Sequence, residues 1–443
     1  MPVSRRPLEW VSPLVIATAL KDETDPLALV AGADDPDRHG GRWSYVAIEP
    51  YQVDVVERAD DGALFDALRS DRWSNGPCVG LLSYDAGARV ATGARAPIWP
   101  DLILARYRAW LAFDHARQIV WACGWGEDEA SAQQASDHAA MWHKRRAHGY
   151  LPAPPSDQFT PEAPDQDYCD AVADVVRRIG EGELFQANIA RAWSGTLRPH
   201  AEPFDVFARL AGRGAAYGAC WRIGDHAVVS NSPELFVSFD QQQRRIEARP
   251  IKGTRPRYAD PVSDRSAAED LLTSEKDRAE NLMIVDLMRN DLGRVAEVGS
   301  VRVDDLWGLE SHPTVHHLTS VVVATTSPQV TWPDVLEATF PAGSITGAPK
   351  HQAMKVIAAL EPPRGAWCGT LFASGLGEAG VTSASVLIRS AFFQRYGQGW
   401  QWRTLAGAGI TADSDPQAEL EETDAKIRAL ADALCLRTVG AAD

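Results

Sequence analysis

Cysteine is sparse and scattered. Cys78, Cys123, Cys169, Cys220, Cys368 and Cys435 form no C-x-x-C pair, which argues against a disulfide framework or a zinc site and favours a reducing compartment. Long apolar runs are missing too: none approaches the roughly 20 residues that cross a bilayer. Residues 1–10 carry charge but no apolar core, so they do not read as a signal peptide. Positive charge is in deficit. A formal net charge of -16 over 443 residues excludes the basic stripe of a nucleic-acid surface. It also obliges an anionic substrate to find local help from Lys, Arg or a metal ion. No cysteine sits in a G-x-C-x-G nucleophile turn, so the chain is not expected to release ammonia from glutamine itself. A soluble, cytoplasmic protein without nucleic-acid or membrane partners is expected.

What the chain has is size and an ordinary apolar share, 45%, enough for two domains or one elaborate one. Strand-like runs broken by polar turns fill the first third, at 27–31, 43–48, 79–84, 102–113 and 118–124, and a helical stretch at 127–148 closes it. Pro152, Pro154, Pro155, Pro161 and Pro164 then exclude regular structure and mark a linker. The expected division is an N-terminal region 1–150, a linker 151–166 and a catalytic region 167–437. In the last of these a helix is expected at 168–179, where Val172, Val175, Val176 and Ile179 keep helical spacing before Gly180 and Gly182. Strands are expected at 185–194, 215–223, 227–230, 235–239, 381–393 and 400–408, and helices at 274–292, 332–338, 349–359 and 417–434. Strands in runs with helices interspersed favour an α+β fold over a doubly wound sheet.

Several segments carry possible chemistry. Pro250-Ile251-Lys252-Gly253-Thr254 sets a lysine between a strand-like run, 244–248, and a Gly-Thr turn. A lysine so placed is a charge clamp or a nucleophile, against the plain alternative of a solvated loop residue. Asp277 and Glu280 lie one helical turn apart, as do Glu419 and Glu422, with Lys426 a turn further. Two such pairs suit Mg²⁺, which takes a few carboxylates and leaves room for water and substrate. Each pair alone reads as a solvated helix face. The run Gly343-Ser344-Ile345-Thr346-Gly347-Ala348-Pro349-Lys350 leads into a helix, with Thr346 or Gly347 expected to cap it and the mouth expected to attract an anion. Its lysine is misplaced for a Walker loop, and Gly407-Ala408-Gly409 lacks the third glycine of a dinucleotide fingerprint. His312, His316 and His317 lack zinc spacing; alternation points the adjacent pair to opposite faces of a strand. One suits acid–base work or substrate contact, the other a structural role.

Seven segments follow one another in a familiar order: Glu183-Leu184-Phe185-Gln186-Ala187-Asn188, Ser232-Pro233-Glu234, the Lys252 pentapeptide, the run from Asp277 to Arg294, His316-His317-Leu318, the run from Gly343 to Lys350, and Ala406-Gly407-Ala408-Gly409-Ile410. Together they resemble the chorismate-utilising enzyme family. The N-terminal third matches more loosely, through Ala47-Ile48-Glu49-Pro50 and Gly80-Leu81-Leu82-Ser83-Tyr84-Asp85. The resemblance implies antiparallel sheets packed as a two-lobed β-sandwich with helices outside. Water-using isochorismate and salicylate synthases carry a lysine where Gln186 stands, and anthranilate synthases usually carry alanine where Lys252 stands. The chain is similar to the aminodeoxychorismate synthase branch, where the lysine attacks the substrate ring.

That branch implies roles residue by residue. Glu280 and Glu422 would bind Mg²⁺, with Asp277 and Glu419 outside them. Glu234 would protonate the departing 4-hydroxyl, Lys252 would add at C2, and His317 would contact the ring. Gln186, Thr254, Ser344 and Thr346 would touch substrate; Arg389, Gly407, Gly409 and Lys426 would hold the enolpyruvyl carboxylate. Chorismate and a glutamine amidotransferase that supplies ammonia are the implied partners, and p-aminobenzoate and folate synthesis the implied setting. The chain departs from the family at Phe372, where tyrosine is usual, and at Ser383-Ala384-Ser385, where an Asp-Thr-Ser or Asp-Thr-Cys run is usual. A serine is also missing from the tryptophan-binding turn, here Val30-Ala31-Gly32, so tryptophan binding is expected to be weakened. Anthranilate synthase component I stands as the rival enzyme, and a catalytically inactive binding subunit as the rival without chemistry.

Overall fold

Alternating apolar residues make the N-terminal runs strands, but those strands do not stay with their neighbours in sequence. In the computed structural model, which describes residues 2–31, 42–59, 63–70, 76–214, 216–312, 315–377 and 380–435, they enter two antiparallel sheets. Among the described residues the first has 12 strands, in the order Val3–Leu8, Ile119–Trp125, Ala109–Asp114, Trp43–Ala47, Leu27–Val30, Tyr217–Ile223, His226–Ser232, Ser390–Tyr396, Gly399–Ile410, Gln186–Thr196, Gly347–Ala348, with Thr160–Pro161 beside Gln186–Thr196. The second has 10, in the order Ile251–Pro256, Val315–Thr325, Arg245–Ala248, Leu235–Asp240, Val381–Val386, Thr370–Ser374, Cys78–Leu82, Leu102–Arg106, Gln52–Val56, with Arg302–Ser311 on the far side of Val315–Thr325.

Leu27–Val30 pairs with Tyr217–Ile223, and Cys78–Leu82 with Thr370–Ser374. Residues before 150 and after 166 therefore share one core. Val79, Leu81, Trp110, Trp221, Phe236 and Phe372 fill the space between the sheets. Phe113, Phe393, Trp400 and Trp402 pack on the outer face of the first sheet, under the helices Pro13–Leu20, Glu129–Trp142, Pro203–Leu210 and Pro416–Leu434. Each such large apolar side chain contributes about 1.5–3 kcal/mol on burial.

Four expectations need correction. The run 102–113 is two strands, and so is 381–393; in each case the first strand lies in the second sheet and the next in the first sheet. Apolar residues line both sides of such a corner, so periodicity does not reveal it. The strand expected at 79–84 ends at Leu82, because Ser83 accepts the Ala86 N–H and starts the helix Tyr84–Thr92. The proline-rich 151–166 segment contributes the short strand Thr160–Pro161, where proline is tolerated because a sheet edge asks no N–H of it. Residues 436 and 437, at the expected end of the catalytic region, lie outside the described residues, as does Gly32.

Two capped helices carry the acidic pairs. Ser274 accepts the Asp277 N–H to open Glu275–Gly293, which turns Asn281, Ile284, Val285 and Met288 inward while Leu282 stays exposed. Asp415 accepts from Gln417 and Ala418 N–H to open Pro416–Leu434, with Pro416 first. Among the described residues no helix is long and apolar enough to cross a membrane, and none of the six cysteines is in a disulfide.

Arg364 ties these layers together. Only 1% exposed, it donates to both Glu361 carboxylate oxygens at 2.9 and 3.0 Å and to the carbonyls of Asn188 and Ile345 at 2.6 and 3.2 Å. Arg364→Leu leaves Glu361 buried without its counter-charge. Urea unfolding should show a loss of about 3–5 kcal/mol, and a loss below about 1 kcal/mol would mean that the pair does not support the fold.

Candidate active site

Lys252 belongs to the strand Ile251–Pro256 rather than to a turn. Its register against Val315–Thr325 slips between Ile251 and Thr254, and Gly253 takes φ +84° inside that bulge, where a Cβ would sit 2.9 Å from Asp277 Oδ1. Bulges re-aim side chains, and this one accompanies an amine that reaches the first sheet. A Cβ built on Gly409 would lie 2.9 Å from Lys252 Nζ and 2.7 Å from Gln186 Nε2. The two head groups thus meet over Gly409. Gln186 is fully buried, and neither polar atom of its side chain has a hydrogen-bond partner among the described residues. Burial lowers the Lys252 pKa from its ordinary value, with Lys426 adding to the fall while Glu280, Glu234 and Glu422 oppose it.

Glu234 sits between the strands His226–Ser232 and Leu235–Asp240, 5% exposed. Burial raises its pKa to about 7, against the opposing pull of Ser344, Lys252, Arg389 and Lys426. Ser344 Oγ donates to Glu234 Oε1 at 2.6 Å. Arg389 stands at the corner between Val381–Val386 and Ser390–Tyr396, with φ 51°. It is half-buried, and no described carboxylate forms an ion pair with it. His317 is buried; its Nδ1 lies 3.0 Å from the hydroxyl of exposed Thr254. Burial, then Arg389 and His312, push its pKa down to about 3, so the ring is a neutral imidazole. His316 points the other way and is held by Ser311 Oγ at 2.8 Å and Asp264 Oδ1 at 3.1 Å. The alternation expected for the pair is observed.

The four helix carboxylates are not equivalent. Burial raises Glu280, and Asp277 and Glu419 add to it. Burial also raises Glu419, which Ser414 Oγ holds at 2.7 Å. Burial pushes Glu422 up as well, but Lys426 at 2.6 Å outweighs it and the pKa falls. Lys426 also donates to the Gly407 carbonyl at 2.9 Å. Asp277 is engaged by Arg255 at 3.0 Å. Among the described residues no three His, Cys, Asp or Glu side chains form a metal cage by themselves. The donor set is nonetheless hard oxygen under mutual repulsion. It fits a divalent cation that completes its shell with water and substrate oxygens.

Two polar side chains at the expected anion-binding helix mouth have protein partners. Lys350 Nζ is spent on Asp291 at 2.5 Å and the Thr339 carbonyl at 2.9 Å. Thr346, fully buried, donates its hydroxyl to the Ala342 carbonyl at 2.8 Å. Neither Thr346 nor Gly347 caps the helix Lys350–Leu360, whose cap position is Pro349. Gly347, at φ +144°, is glycine because a Cβ would fall 2.1 Å from the Gln186 carbonyl. Sequence reasoning missed Arg255, the partner of Asp277, and Lys276, 4.0 Å from Glu280. Their signal was their place beside Lys252 and Asp277. A separate cavity of about 670 Å³ is lined by Val30, Ala31, Tyr45, Phe372, Ser383 and Ser385 among others. None of Lys252, Glu234, Glu280 or Arg389 lines it.

Residues 28–432 match the chorismate binding enzyme family. The chain belongs to that family. It is an enzyme acting on chorismate. Its relatives include aminodeoxychorismate synthase component 1 of Salmonella typhimurium, 38% identical over 359 residues that cover 80% of this chain and 75% of the relative. Anthranilate synthase component 1 1 of Haloarcula marismortui is 33% identical, covering 88% and 85%. The crystal structure of anthranilate synthase component I from Streptococcus pneumoniae superposes with a TM-score of 0.75 at 26% identity, covering 89% of this chain and 93% of that one. This chorismate-binding enzyme shares the α+β fold of that structure, two antiparallel sheets with helices outside.

Gly409→Ala tests the junction over which Lys252 and Gln186 meet. The added methyl must displace one of them, so kcat/KM for chorismate should fall about 10²-fold while the thermal midpoint moves little. Unchanged turnover would show that the two head groups do not need this geometry.

Proposed function

We propose that the protein is the chorismate-aminating component of an aminodeoxychorismate synthase, which converts chorismate and ammonia to 4-amino-4-deoxychorismate on the route to p-aminobenzoate and folate. A glutamine amidotransferase would supply the ammonia. The observation that carries this reading is Lys252, an amine that burial shifts toward its neutral form, beside a carboxylic acid with a pKa of about 7.

The steps balance around these two groups. Oε2 of Glu234 gives its proton to the 4-hydroxyl, and the C4–O bond breaks with its electron pair on oxygen, so water departs. The Lys252 lone pair forms a bond to C2 as the ring double bond shifts. Ammonia then adds at C4 and gives up a proton to the Glu234 carboxylate, while the C2–N bond breaks and its electron pair returns to Lys252. Arg389 and Lys426 are the cations for the substrate's enolpyruvyl carboxylate, beside residues Gly407–Gly409 of the strand Gly399–Ile410. Neutral His317, held by Thr254, faces the ring as a hydrogen-bonding group. Glu280 and Glu422 would hold Mg²⁺ with Asp277 and Glu419 around them; bound there, the ion supplies charge neutralisation of the ring carboxylate.

Anthranilate synthase is the second reading, favoured by the relatives of that name. Incubation of the folded protein with chorismate, Mg²⁺ and ammonium separates the two. Aminodeoxychorismate that gives p-aminobenzoate only after a lyase is added supports the first; direct anthranilate fluorescence overturns it. Lys252→Ala should remove aminodeoxychorismate formation by several orders of magnitude, and near-normal turnover would end the covalent role. The pH dependence has a definite sign. Ionisation of Glu234 through about pH 7 removes the acid on the alkaline side, and protonation of Lys252 removes the nucleophile on the acid side. A profile of kcat/KM that rises steadily above pH 8 would contradict the Glu234 assignment.

A further inference from the structure

Ser344 is expected from the resemblance to touch substrate, yet its hydroxyl has a protein partner. It lies on a 3-10 turn, Gly343–Ile345, and both it and Glu234 are more than nine-tenths buried. The Oγ donates to Glu234 Oε1 at 2.6 Å. No described side chain hydrogen-bonds the second oxygen, Oε2. The Glu234 backbone is fixed separately, since its N–H donates to Ser232 Oγ at 3.3 Å. A carboxylic acid that accepts a hydroxyl on one oxygen carries its own proton on the other.

We propose that Ser344 is a positioning residue for the acid: by donating to Oε1 it confines the transferable proton of Glu234 to Oε2 and then holds the carboxylate left behind when that proton departs. The inference rests on the reading of Glu234 as the proton donor to the 4-hydroxyl. It assigns Ser344 to the acid instead of to the substrate. The turn that carries Ser344 is itself anchored, because Thr346 donates to the Ala342 carbonyl at 2.8 Å and accepts the Asn188 N–H on its own carbonyl at 2.8 Å. The Gly343–Lys350 run thus acts on the site through a hydrogen bond to Glu234.

Groups that bear on Glu234 come from several elements. Lys252 lies on Ile251–Pro256, Arg389 on the corner before Ser390, Lys426 on the last helix, Tyr217 on Tyr217–Ile223, and Cys368 before Thr370–Ser374. All of them remain in a Ser344 variant, so a change in the alkaline limb of the pH profile reports Ser344 alone. The charge-assisted bond favours the ionised form of Glu234; its removal must move the loss of activity to higher pH.

The test uses Ser344→Ala and Ser344→Thr in the full-length protein, assayed with chorismate, Mg²⁺ and ammonium. Ser344→Ala should lower kcat about 10- to 100-fold, leave KM for chorismate within about twofold, and shift the alkaline limb of the kcat/KM profile upward. Ser344→Thr keeps a hydroxyl and should recover most of the rate and return the limb to its wild-type position. A raised KM with kcat and limb unchanged would place Ser344 on the substrate and overturn the proposal. So would a Thr variant as impaired as the Ala variant, with both folded by thermal melting. Product identity keeps the two readings apart: wild-type protein that forms anthranilate overturns the aminodeoxychorismate assignment, while the limb shift still decides the role of Ser344.

Discussion

Three backbones converge at Gln186, and the site depends on two of them being glycine there. The strand Gln186–Thr196 pairs on one side with Gly347–Ala348 and on the other with Gly399–Ile410. Side chains at Gly347 and Gly409 would meet the Gln186 carbonyl at 2.1 Å and its amide at 2.7 Å. Ladder hydrogen bonds hold these strands, so the floor is rigid before any ligand arrives. Onto it the second sheet delivers Lys252 through the Gly253 bulge. A bulge in one sheet and bare backbone in the other are the two halves of one joint.

Charge is then divided by burial. The protein is acidic as a whole, but Lys252, Arg389 and Lys426 surround Glu234, and no described carboxylate ion-pairs with Arg389. The acidic residues that would neutralise these cations are grouped on the two capped helices, where Glu419 adds to the burial that raises Glu280 and Glu422 adds to the burial that raises Glu419. A dianionic substrate suits the first group and a hard cation suits the second. Lys426 bridges them, bonded at once to Glu422 and to the Gly407 carbonyl. The same burial that shifts Lys252 toward its neutral form shifts Glu234 toward its own, and the two form no ion pair. That is a costly arrangement in water and a natural one where both groups are desolvated.

The chemistry was more legible in the sequence than the path of the chain. Lys252, Glu234 and His317 each lie in a short run whose order along the chain is a signature; Arg389 lies in none of them, and its bearing on Glu234 and His317 shows only in the fold. Two-residue alternation separated His317 from His316, and the three-residue spacing of Glu419 and Glu422 foretold a shared helix face. Alternation says nothing about which sheet a strand joins. It therefore ran Val381–Val386 and Ser390–Tyr396 together and hid the corner that aims Arg389. Nor does composition show where a cation is spent: only the fold shows Lys350 held by Asp291 and the Thr339 carbonyl. Thr346, similarly, has the residue type of a ligand contact and the hydrogen bond of a turn.

The departures from the family pattern acquire a different meaning in three dimensions. Phe372, Ser383 and Ser385 are departures from the family, and the Ser383–Ser385 segment is the feature that favours an inactive binding subunit. All three line the 670 Å³ cavity with Val30, Ala31 and Tyr45. Ser385 donates to the Leu371 carbonyl at 3.4 Å, so a local partner takes that altered hydroxyl. What differs from the family is thus concentrated in one cavity, and the groups proposed for chemistry lie outside it. Changes there bear on whatever that second cavity accepts, and leave the inactive-subunit reading without the sequence feature that favoured it.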